Sequence, residues 1–473
     1  MSIFINLPPE LINTVMKYLN ICEMPSIRQT CQTLNDFKEY AFSLIKLDDK
    51  KSFKFYTDRQ FRNIVKSFAS FAPFIPNSSN RQYNIELNLG WCKNIIDVSV
   101  LKNIHTLNLR ACPNIVNVDP LKNTYILNLS ECEYIEDVSK LGNVYSLELV
   151  GCPKITNVDA LCNVPELNLS WCHGLRDISG LRNVKVLELR GCRGIYSVRG
   201  LDNVTSLCLR ECPNITDVSN LCNVQSLDLS GCPGVTDVSA LCNVQTLDLS
   251  NCINLVDVSG LVNVRILDLS GCPRITNVSN LGNAQILDLS DCVGVHDVSE
   301  LGNVTTLYLQ RCPRITDVSR LSKVNALYMN GCTGVTDVSA LCNIQTLDLS
   351  DCIGIRNVSN LGNVQSLDLC GCVNVTDISA LGSIQKLDLS NCPEITDVSA
   401  LHNVQTLELR WCYKINDVSK LGRVYALNLM GCSGVTDVSA LGNVHILNLR
   451  ACPNITTNLK TLKGVKTLFT TMH

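Results

Sequence analysis

Leu241-Cys-Asn-Val-Gln-Thr-Leu-Asp-Leu-Ser-Asn-Cys-Ile-Asn-Leu-Val-Asp-Val-Ser-Gly260 decides the architecture, because this phrase of 20 residues recurs without insertion or deletion from Arg81 to Lys460. There are 19 such units. With Leu241 as position one, position seven is Leu in all 19 units and position nine is Leu in 18, Met329 being the exception. Position fifteen is always Ile, Val or Leu. Positions seven and nine lie two apart, so they share one face of a short strand, and positions six, eight and ten share the other. Stacked units place these strands side by side as a parallel sheet at a spacing of about 4.8 Å. The inner leucine columns then merge into one core. Truncating a single member such as Leu247 to Ala costs about 2–5 kcal/mol.

A fixed short period with this leucine spacing is the signature of a leucine-rich-repeat solenoid. The expected fold class is α/β, with a parallel sheet on the concave face and short 3₁₀ or turn segments on the convex side. Position three is Asn in 15 of the 18 units from Leu101 onward, often after Gly, which marks the corner before the strand. Positions sixteen to nineteen commonly read Thr-Asp-Val-Ser. Thr or Asp there caps a single helical or 3₁₀ turn, leaving little room for a long helix.

The chain holds 27 cysteines, of which 19 stand at position twelve, one per unit. No Cys-x-x-Cys spacing occurs, so the column does not read as a zinc motif. Cysteine is small, prefers burial and donates a weak hydrogen bond through its thiol, which suits a turn that packs against the core. The opening Met1-Ser-Ile-Phe-Ile-Asn-Leu-Pro-Pro-Glu10 lacks the basic and apolar regions of a secretory signal. Reduced thiols in an intracellular compartment, cytoplasm or nucleus, are expected. The net charge of -3 implies no strong pull toward nucleic acid or membrane. The six histidines are scattered and no phosphate-binding loop is present. A non-catalytic chain without cofactor or metal is therefore expected.

The first 80 residues differ in kind. Nine of the ten Phe lie there, whereas all 26 Gly lie beyond, starting at Gly90. Ten basic and seven acidic side chains make this segment positive, so the remainder is negative. Leu7, Leu11, Ile12, Val15, Met16 and Leu19 recur at helical spacing behind Pro8 and Pro9. Met24, Ile27, Cys31 and Leu34 suggest a second helix, and a third runs through Phe37 to Leu44. Phe61, Ile64, Val65 and Phe68 predict a further amphipathic helix within 46–80, serving as the cap that a solenoid end requires. Four segments follow: 1–45, 46–80, 81–460, and a partial repeat over 461–473 where the period slips by one after Thr457.

The string Leu7-Pro-Pro-Glu-Leu-Ile-Asn-Thr-Val-Met-Lys-Tyr-Leu19 resembles the opening of an F-box, and Ile27-Arg28, Cys31 and Leu34 resemble its second half. The repeat's Cys-Pro-x-Ile-Thr-Asp pattern, seen from Cys212 to Asp217 and from Cys392 to Asp397, resembles the cysteine-containing class of leucine-rich repeats often joined to F-boxes. Its Thr-Asp-Val-Ser-x-Leu segment is similar to the internalin type, and a period of 20 is short for both. The F-box resemblance implies a Skp-type adaptor and a cullin-based (SCF-type) ubiquitin ligase as partners. It also implies that Leu7, Pro8, Leu11, Ile12 and Leu19 form the adaptor contact or its supporting core. A leucine-rich-repeat scaffold with no ubiquitin link is the alternative, without an adaptor partner.

The target surface is expected where the outer pattern breaks. Position eight carries Asp seven times, Glu three times and Asn six times, and like charges at strand spacing raise one another's pKa values. Trp occurs three times, always at position eleven, as Trp91, Trp171 and Trp411. Arg takes position ten at Arg110, Arg190, Arg210, Arg410 and Arg450. Tyr308 and Tyr328 replace the acid at position eight near Arg311. Trp, Tyr and Arg dominate binding hot spots. Three patches are expected for an unidentified target protein, in units 141–220, 301–340 and 401–460: Trp171, Arg190 and Arg210; Tyr308, Arg311 and Tyr328; and Arg410, Trp411 and Arg450.

Overall fold

The structure, a computed structural model, describes residues 45–69, 83–455 and 459–470. Leu7, Pro8, Leu11, Ile12 and Leu19, together with the helices expected before Leu44, lie outside the described residues. The chain divides into two compact units, Met1–Asn214 and Ile215–His473.

The first unit begins with strand β1 (Ile45–Leu47), followed by helices α1 (Asp49–Thr57) and α2 (Arg59–Ala69) and strand β2 (Tyr83–Asn88). The helix expected from Phe61, Ile64, Val65 and Phe68 is α2, and a break separates it from β1 and α1, which the spacing does not predict. Two aspartates explain the break. Asp48 accepts the Lys51 N–H at 2.9 Å and starts α1. Asp58 accepts the N–H groups of Gln60 and Phe61 at 2.8 and 3.0 Å and starts α2. β1 extends the sheet, pairing parallel to β2 with Ile45 opposite Ile85 and Leu47 opposite Leu87. Phe55, Phe61 and Val65 are buried. Ser52 ties α1 to the sheet, donating to the Leu47 carbonyl and accepting the Asn88 N–H, both at 3.1 Å. Further strands at positions six to eight pair in parallel register up to Ser206–Cys208.

The second unit repeats the same rung from Ser226–Asp228 to Thr467–Phe469. Within Leu241–Gly260 the residues at positions one, four, seven, nine, twelve, fifteen and eighteen are all buried, so each rung turns seven side chains inward. The convex side is a lone 3₁₀ turn where a helix forms at all, as at Ser239–Leu241 and Ser299–Leu301. Its start is capped from position seventeen: Asp237 accepts the Ser239 N–H at 2.9 Å, and Asp297 accepts that of Ser299 at 3.0 Å. At the far end Leu468 pairs opposite Leu447, one residue beyond the period.

Within each compact unit, cysteines at position twelve close turns onto the rung before them. Cys252 Sγ donates to the Leu229 carbonyl at 3.3 Å and Cys432 Sγ to the Leu409 carbonyl at 2.9 Å. The donor stands at position twelve and the acceptor at position nine of the preceding rung. Burial pushes the Cys252 thiol up to about 12, which keeps it neutral and inert.

Candidate interaction surface

The outward strand face is ordered by position eight. Asp or Asn there accepts the backbone N–H of position ten: Ser250 donates to Asp248 Oδ1 at 2.8 Å, and Arg450 donates to Asn448 Oδ1 at 3.1 Å. Glutamate is one methylene too long for this tight loop and reaches sideways instead. Glu148 accepts from Asn128 Nδ2, and Glu408 from Asn428 Nδ2, both at 2.7 Å. The acidic column is therefore part of the turn. At Asp368 burial, rather than mutual repulsion alone, leads the shift: it pushes that carboxyl up to about 6, with Asp388 and Asp348 adding to the shift and the Cys370 N–H opposing it. Asp248 is raised as well, again chiefly by burial.

Position eleven has a left-handed backbone in every unit, a feature that composition alone does not announce. Seven units use Gly there, and two each use Asn and Asp, the side chains that tolerate this region. Trp91, Trp171 and Trp411 adopt it at φ 64°, 62° and 61°. For a bulky residue this conformation costs of order 1–3 kcal/mol. Burial does not offset it at Trp91 and Trp411, which are 70% and 46% exposed.

The three sequence-expected patches fare differently. In the first, Trp171, Arg190 and Arg210 come together. The Arg190 guanidinium sits over the Trp171 ring at 5.6 Å, and His173 meets the same ring edge-on at 6.1 Å. Glu211 receives Arg190 at 2.8 Å and Arg210 at 3.5 Å. In the second, Tyr308 and Tyr328 stack with centroids 4.7 Å apart and planes 8° from parallel. Arg311 forks onto Asp291, its Nε donating at 2.6 Å. In the third, Arg410 reaches Asp388 at 3.3 Å and Glu408 at 3.4 Å, and Arg450 lies over Phe469 at 5.1 Å. Trp411 packs over Gly431 instead of an arginine.

Arg110, noted at position ten but placed in none of the three patches, stands 6.0 Å from the Trp91 ring. The aromatic columns at position five were not singled out from sequence. His105, Tyr125 and Tyr145 form a column at position five with successive centroids 4.9 and 4.7 Å apart, and Tyr425 stacks on His445 at 4.5 Å. The signal was present as aromatic residues 20 apart. Among the described residues no group of three or more His, Cys, Asp or Glu side chains is placed to hold a metal ion, and no helix is long and apolar enough to cross a membrane.

The F-box domain model matches residues 4–38, which include Leu7, Pro8, Leu11, Ile12 and Leu19, and a Leucine Rich repeat model matches residues 220–242. No curated protein matches the chain. Among solved structures, the TLR13–ssRNA13 complex is similar at a TM-score of 0.50 and 17% identity, over 78% of this chain and 65% of that one. A leucine-rich-repeat protein from Leptospira interrogans gives 0.45 and 20%, over 74% and 90%. The functional domain of InlJ from Listeria monocytogenes, described as including a cysteine ladder, gives 0.38 and 18%, over 70% of each chain. The first of these likenesses shows the fold alone. An F-box domain at residues 4–38 ahead of a leucine-rich-repeat solenoid makes this chain an F-box/leucine-rich-repeat protein.

Proposed function

We propose that the chain is the substrate-recognition subunit of a cullin-based, SCF-type ubiquitin ligase. The F-box, through Leu7, Pro8, Leu11, Ile12 and Leu19, binds a Skp-type adaptor. The solenoid holds a target protein within reach of the ligase and carries out no reaction itself. A cytoplasmic or nuclear setting goes with this reading. The observation that carries it is the F-box match at residues 4–38 on the same chain as a solenoid. The target side is supported by the tryptophans at position eleven, held in a left-handed backbone and in two cases 70% and 46% exposed. Strain of this kind concentrates at functional sites.

The test is co-purification of the full chain with a Skp-type adaptor. Leu11→Asp abolishes it on this reading, and an intact chain that captures no adaptor overturns it. For the target surface, Trp171, Arg190, Arg410 and Trp411 are replaced together by Ala. Undiminished target capture by the folded variant removes these residues from the contact.

A further inference from the structure

Tyr308 and Tyr328 interrupt the aspartate column in the second unit. Their rings lie parallel on adjacent strands, so each covers the other's inner face. The outer face of each ring points along the stack to an aspartate in register on the next strand, Asp288 beside Tyr308 and Asp348 beside Tyr328. The order across four rungs is therefore carboxylate, ring, ring, carboxylate. A tyrosine cannot make the position-ten turn bond that Asp or Asn makes here, so the pair gives up a local bond.

The surroundings select a charge sign. Residues 215–400 carry 19 acidic and eight basic side chains. On the strand face from Ser226 to Asp388, Asp occupies position eight at seven of the nine rungs, and Lys386 is the one cation at positions six, eight and ten. Nearby Arg311 is engaged by Asp291, and Arg410 by Asp388. Such a face repels phosphate and attracts cations. Asp288 and Asp348 each use Oδ1 for the turn bond, at 2.8 and 2.9 Å, and a carboxylate has acceptor sites beyond one.

We propose that the strand face of the second unit seats an arginine-bearing basic segment of a protein, its guanidinium groups stacking on Tyr308 and Tyr328 and forking onto Asp288 and Asp348. A guanidinium suits both contacts at once, because its plane stacks on an aromatic face while its edge pairs with a carboxylate. A lysine ammonium supplies charge without the plane. This deepens the target-binding reading above and rests on it.

The test uses the full chain and a fluorescein-labelled peptide of alternating Arg and Gly, with Lys-Gly and Glu-Gly counterparts, read by anisotropy at physiological salt. Two double variants are compared, D288N/D348N and Y308N/Y328N. Asn is the native residue at this position in six units and makes the turn bond there, so the variants keep the fold, which their melting temperatures check. The Arg peptide binds, and each double variant weakens it by about tenfold. Unchanged affinity in either variant, or a Lys or Glu peptide bound as tightly as the Arg peptide, overturns the proposal. Adaptor co-purification, measured on the same preparations, scores the receptor reading separately, since these four positions lie outside the F-box.

Discussion

Trp171 lies so closely over Gly191 that a β-carbon built on the glycine would stand 2.4 Å from its Cε3 atom. Both residues occupy position eleven and both have a left-handed backbone, at φ 62° and 69°. The arrangement recurs at Trp411 and Gly431, where the corresponding distance is 2.3 Å. A tryptophan at this position requires a bare rung above it.

Gly191→Ala therefore meets two costs, a positive φ and a displaced indole. Gly151→Ala is the control, with φ 67° but its nearest neighbour, Glu131 Cγ, at 3.7 Å. The control loses about 1 kcal/mol in urea unfolding. Gly191→Ala loses more and also shifts tryptophan emission. Equal losses and an unmoved spectrum would show that the stacking carries no weight.

The cysteine column predicts alkaline fragility. Burial raises the Cys252 thiol from its ordinary 9.0 to about 12. An acid whose pKa is higher in the folded state favours folding fully below its unfolded pKa. That advantage is lost as pH climbs from 9.0 through about 12. Similar shifts at Cys272, Cys292 and Cys312 add to it. Circular dichroism against pH should show the solenoid melting above pH 9, and replacing these four cysteines by Ala should flatten that descent. At neutral pH the single change Cys252→Ala costs about 1–2 kcal/mol, from lost packing and the loss of one hydrogen bond to the Leu229 carbonyl, which keeps the Cys232 N–H at 3.2 Å.

Asp368 predicts the opposite kind of substitution. Its pKa is raised by burial to about 6, so its contribution is full below the unfolded value near 3.8 and falls away as pH rises through about 6. Asp368→Asn keeps an acceptor for the Cys370 N–H, now received at 2.8 Å, and removes the buried charge. The variant is more stable than the parent by about 1 kcal/mol at pH 7, and the gain vanishes near pH 4. Thermal melts at the two pH values decide it, and a gain independent of pH counts against burial as the cause.

Leu247→Ala tests how the stack shares load. Leu247 is buried opposite Leu227 and Leu267 on its two neighbouring rungs. The expected loss is about 2–5 kcal/mol. In a stack where each rung touches only its neighbours, amide exchange should quicken first around this rung. Uniform quickening along the chain would mean that the second unit opens as a single block.

The inward half of this protein is written in the sequence. Leu247, Leu249, Cys252 and Leu255 announce their burial because stacking repeats one environment at one period, so each column reads the same way on every rung. The cap was legible only as apolar spacing. Its break at Asp58 depends on a side chain choosing a local backbone N–H. The outward half needed the tertiary structure, because its relations run between rungs. Asp248 reads as one of a row of repelling charges until its bond to Ser250 is seen. Trp171 reads only as one member of a patch with Arg190 and Arg210 until the stack brings Gly191 and Arg190 against its ring, and Glu211 against that arginine. Rung spacing of about 4.8 Å turns residues 20 apart into neighbours, and only then do their sizes and charges decide which of them meet.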